Sequence, residues 1–114
     1  MKPYKEIIQS GLKERGLEIE TFLDRETELP WWIEEHWIVK RAFDSLELHV
    51  LFLTDRGWES GTKIVWEVAF TKEVMASYMD ETTKIASLDL MKGNFSEKIE
   101  QLWRELDNYL IAQK

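Results

Sequence analysis

Cysteine is absent from the 114 residues, which excludes a disulfide framework, a thiolate nucleophile and a sulfur-held zinc. Long apolar runs are absent too. The densest stretches, Val50 to Leu53 and Val68 to Phe70, are strand-sized and far short of the 18 or so residues of a membrane-spanning helix. The opening MKPYKEIIQSGLKERG has neither the apolar core nor the small-residue cleavage site of a signal peptide, so a cytoplasmic setting is expected. Basic residues are scarce where acids gather: from Leu17 to His36 there are seven acids (Glu18, Glu20, Asp24, Glu26, Glu28, Glu34, Glu35) against Arg25 alone. That segment carries −6 of the chain's −7. Nucleic acid is bound largely by basic residues that displace counterions, and this balance opposes it; long-range attraction of a basic partner is the alternative.

What is present is ordinary for a folded protein: 44% hydrophobic, 32% charged and 12% aromatic, the last too high for a disordered chain of this charge. One α+β domain spanning 1–114 is expected. Pro3 to Arg15 has the periodicity of an amphipathic helix, with Tyr4, Ile7, Ile8, Gly11 and Leu12 on one face and Gly16 placed to stop it. A second helix follows Asn94, a capping residue with Glu97 three positions on, and carries the stripe Ile99, Leu102, Trp103, Leu106, Tyr109, Leu110. Between them Trp32–Phe43, Leu46–Thr54 and Lys63–Thr71 are rich in β-branched and aromatic residues, and Ile85–Leu90 suits a short fourth strand. These features predict a two-layer meander of three to four antiparallel strands packed by both helices.

A two-residue hairpin at Asp44-Ser45 would pair Phe43 with Leu46, Arg41 with Leu48, Val39 with Val50 and Trp37 with Phe52; placing Val50 opposite Trp66 adds the third strand. On that register one face collects Trp31, Ile33, Trp37, Val39, Phe43, Leu46, Leu48, Val50, Phe52, Ile64, Trp66, Val68 and Phe70. This is the expected core, interrupted near its margins by Glu35 and Arg41. The other face groups Ile38, Leu51, Leu53 and Val65 into an apolar patch rimmed by Trp32 and His36, with a polar row of Lys40, His49 and Glu67 beside it. An apolar patch with a polar rim marks a place where something packs. The motif LPWWIEEHW, Leu29 to Trp37, is thereby split by parity, with Trp31, Ile33 and Trp37 inward and Trp32, Glu34 and His36 toward the patch.

Chemistry finds little support. The same register holds His36 and His49 about 13 Å apart at roughly 3.3 Å per residue, too far for one metal ion, so no metal is expected. Glu67 beside His49 is the best acid–base pair. Ser45, Ser60, Ser77, Ser87 and Ser96 stand in no nucleophile-elbow pattern, and the glycines of DRGWESG lack the spacing of a phosphate loop. Neither a cofactor nor an enzymatic role is expected. Trp58 in that loop is a natural contact anchor.

The order helix, three strands, helix also occurs in double-stranded-RNA-binding domains. The lysine cluster that opens the second helix of that family is here Asn94, Phe95, Ser96, Glu97, Lys98, so the resemblance ends at element order. The expected function is an interaction module, comparable in composition with immunity proteins and secretion chaperones. It would bind an unknown protein partner or itself, and neither nucleic acid nor membrane, through Trp32, His36, Ile38, Leu51, Leu53, Val65 and Trp58. The alternative is a small-molecule domain using the second sheet face as a pocket wall.

Overall fold

A computed structural model of the chain describes residues 3–24, 29–54, 64–74 and 82–113. Helix α1 (Pro3–Glu14) is followed by five strands, β1 (Leu17–Leu23), β2 (Ile33–Arg41), β3 (Glu47–Thr54), β4 (Val65–Thr71) and β5 (Lys84–Asp89), and then by helix α2 (Phe95–Ala112). The strands form one antiparallel sheet in the order β1-β2-β3-β4-β5, and both helices pack on the same face. No helix among the described residues is long and apolar enough to cross a membrane.

The helix signals act as their chemistry demands. Proline suits the first turn of α1, where its missing N–H has no partner to lose. Gly16 ends it with φ +75, its N–H donating to the Lys13 carbonyl at 3.1 Å. At the start of α2 the Asn94 side chain accepts from the Glu97 N–H at 3.2 Å, and Leu102, Leu106 and Leu110 then line the buried stripe at four-residue spacing. The two helices meet where a side chain is missing: a Cβ on Gly11 would lie 2.2 Å from the Trp103 ring.

There are five strands where three to four were expected. The extra one, β1, lies inside the acidic stretch; its alternation of Leu17 and Ile19 with Glu18 and Glu20 is that of a strand, with Leu17 buried and both glutamates exposed. The turn also differs. Arg41 bonds Leu46, leaving a four-residue loop, Ala42 to Ser45, in which Ser45 takes φ +61 and Asp44 receives a two-point hydrogen bond from the Arg41 guanidinium at 2.9 and 2.6 Å. The β2–β3 register therefore moves by two residues, to Val39 opposite Leu48 and Trp37 opposite Val50, and β3–β4 by four, to Val50 opposite Phe70. Even shifts preserve parity. Trp37, Val39, Leu48, Val50, Phe52, Val68 and Phe70 thus stay together under the helices, joined by Ile8, Leu12, Leu17, Leu102 and Leu106.

Bulges reverse the parity elsewhere. An extra residue at Glu34 moves Ile33, with Trp31, onto the opposite face, and another at Trp66 sends that ring the same way while Val65 joins the helix-covered core. Phe43 is 71% exposed because it sits in the turn, and Ile64, just ahead of β4, is 44% exposed. The two polar interruptions of the core face serve the helices. Glu35 accepts from Lys5 of α1 at 2.8 Å and from the Trp37 indole; Arg41, 3% exposed, donates to the Leu110 and Gln113 carbonyls at the end of α2, where a cation offsets the helix dipole.

Candidate functional site

The second sheet face is an interior. Leu51 and Ala69 are 0% and Leu53 is 1% exposed; Trp32 and Ile33 complete this second core, and Leu29, Trp31 and Trp66 pack against it. The expected patch residues Trp32, Leu51 and Leu53 do gather here, but covered rather than open. Ile38 is half-buried, and Val65 belongs to the other core. Trp58 lies outside the described residues.

The register correction brings the two histidines together. His49 sits opposite Ile38, two residues from His36, and His36 Nε2 lies 2.9 Å from His49 Nδ1 rather than about 13 Å away. Both are buried, at 5 and 7% exposure. His49 Nε2 in turn approaches Glu47 Oε2 at 3.2 Å. A neutral imidazole has one donor and one acceptor nitrogen. If His49 donates to Glu47, its Nδ1 must accept from His36 Nε2–H, and the tautomers of both rings are fixed by the carboxylate at the end of the row. Burial, and then the neighbouring imidazole, pull the His36 pKa from 6.5 down to about 4, against a smaller upward pull from Glu47. His36 is therefore a neutral hydrogen-bonding group at physiological pH.

The polar row expected beside the patch comes apart in the same shift. Lys40 pairs with Glu20 at 3.0 Å, Glu67 with Lys84 at 2.9 Å, and His49 with His36 and Glu47, so Glu67 is not the partner of His49. No set of three or more metal-binding side chains occurs among the described residues.

Clefts among the described residues lie on the helix surface on both sides of Trp103, at about 430 and 420 Å³, and, smaller, at the two sheet edges. At β1, Leu17, Glu18, Ile19 and Phe22 with Gln9 and Lys13 of α1 surround a cleft of about 200 Å³. Phe22 rests edge-on against Trp37, with ring centres 5.4 Å apart, yet is 50% exposed. At β5, polar side chains of α2 lie over the strand: Lys98 is 3.6 Å from Asp89, and Gln101 and Glu105 share a cleft with Ser87.

Comparison with known protein families, curated proteins and solved structures gives no match. The residues alone therefore carry the functional reading. The β1 edge was not singled out in the sequence, although the half-polar alternation LEIETFL was the signal that could have found it.

Proposed function

We propose that the protein is a non-catalytic interaction module whose partner is a basic protein, in a pairing of the immunity-protein or chaperone kind. The observation that supports this most is where the positive charges go. Lys5, Arg15, Lys40, Arg41, Lys84 and Lys98 are each held by an acid of the same chain: Glu35, Asp107, Glu20, Asp44, Glu67 and Asp89. Among the described residues the exposed acids, including Glu6, Glu14, Glu18, Glu97 and Glu100, then outnumber the exposed bases Lys13, Lys72, Lys92 and Arg104, so a partner approaching from solvent meets an excess of negative charge. A surface of one dominant sign speeds encounter with the opposite sign and repels its own kind. The reducing cytoplasm, which a cysteine-free chain suits, is the setting we assign to it. A small-molecule pocket walled by the second face is the weaker reading, because Leu51 and Leu53 are already covered.

Affinity capture from the source cells at low and high ionic strength tests the proposal. A protein of net positive charge, retained at low salt and released at high salt, is the expected result. Recovery of acidic proteins only, of no protein, or of a partner indifferent to salt would contradict it.

A further inference from the structure

We infer that the partner docks on strand β1, adding as a sixth strand an extended segment in which apolar and basic residues alternate; this rests on the interaction reading above. Strand β1 is the first in the sheet order, so β2 lies on one side of it and no described strand on the other. An outer strand presents a row of backbone donors and acceptors that an extended peptide can use.

The side chains on the two sides of β1 specify what that peptide carries. On the helix side Leu17, Ile19 and Phe22 form an apolar shelf, and α1 stands far enough off to leave the cleft of about 200 Å³ with Gln9 and Lys13 at its rim. Phe22 is held in place on its inner side by Trp37, and the outer half of its ring is bare. On the other side stand Glu18 and Glu20, both exposed, with Glu20 drawn to Lys40. Successive side chains of a strand point to opposite faces, so a peptide placed beside β1 sends every second residue over the shelf and the others past the glutamates. Apolar residues suit the first set and lysine or arginine the second.

A second copy of this chain is the poorer occupant. Antiparallel pairing of β1 with itself sets Glu18 and Glu20 of one copy near those of the other, and like charges across a strand pair are destabilising. The bulge at Glu20 divides the edge into two short runs, Leu17 to Ile19 and Thr21 to Leu23, so any added strand, peptide or second copy, meets a break in register there. The cleft at edge β5 is lined by polar side chains alone, Ser87, Asp89, Lys98, Gln101 and Glu105, and offers no apolar shelf. The exposed Phe43 is already stacked by the Arg41 guanidinium at 4.4 Å.

The test is an NMR titration of the whole chain with an octapeptide of alternating valine and lysine, beside the same peptide N-methylated on alternate residues to remove the donors of one edge. The expected result is backbone shifts confined to Leu17–Leu23, Gln9 and Lys13, with affinity falling roughly tenfold or more on N-methylation. Phe22→Lys and Glu18→Lys, both at exposed positions, should each weaken binding while the remaining spectrum stays folded. Absence of binding, equal affinity of the methylated peptide, or shifts centred elsewhere, such as on Trp103, would overturn the assignment. If salt-sensitive capture of a basic protein succeeds while β1 stays silent, only the docking edge falls. If β1 responds while capture yields no basic protein, the interaction reading falls.

Discussion

The two faces of this sheet are both interiors, but they are built differently. The helix-covered face is sealed by elements distant in sequence, with Ile8 and Leu12 from one end of the chain and Leu102, Leu106 and Leu110 from the other, and its polar intruders Glu35 and Arg41 are answered by those helices. The second face is smaller, is packed partly by its own strand's approach through Leu29, Trp31 and Trp32, and holds the only two histidines of the chain in direct contact. A face that reads as an open patch can thus be core.

Four substitutions and one titration bear on that contrast. Trp37→Ala, at 0% exposure in the larger core, should cost about 3 to 5 kcal/mol by denaturant unfolding, a large part of the stability of a domain this size. Leu51→Ala should cost about 2 to 3 kcal/mol. A loss well under 1 kcal/mol there would mean that the second face is not a packed interior.

Acid should act on the second face first. The His36 pKa is about 4 in the folded protein and near 6.5 when unfolded, so the unfolded chain binds more protons between those values. The contribution of His36 is complete above pH 6.5, falls as the pH drops toward 4, and changes no further below. The loss is at most roughly 3.5 kcal/mol, from about 1.4 kcal/mol per pKa unit between 6.5 and about 4. Unfolding curves of His36→Gln, which keeps a hydrogen-bonding side chain without titrating, should be much flatter over the same range. Equal pH dependence in both proteins would remove His36 as the cause. The smallest effect belongs to the helix-covered face: Asn94→Ala deletes the cap of α2 and should cost about 1 kcal/mol, read from the shift in denaturation midpoint.

The sequence carried the two helices, their caps and the membership of most of the larger core, because these depend on periodicity and survive an even slip in register. Strand β1 was obscured because the charge of Glu18 and Glu20 outweighs the apolar half of its alternation. The contact between His36 and His49 depended on absolute register, which a four-residue turn held by Arg41 and Asp44 sets and which a two-residue turn would have set differently. The bulges at Glu34 and Trp66 have no local signature, yet they decide that Ile33 and Trp66 face one core and Val65 the other. Glu35 and Arg41 were visible as interruptions; their partners, Lys5 and the carbonyls at Leu110 and Gln113, lie too far along the chain for any local pattern to supply.

Amide hydrogen exchange on the complex with the captured basic protein, compared with the free chain, tests most directly whether contact is made at an edge and not across a face. New protection concentrated in Leu17–Leu23 is the expected result. Protection gained instead along the α1 and α2 surface or around Trp32 and Ile38, with β1 unchanged, would contradict it.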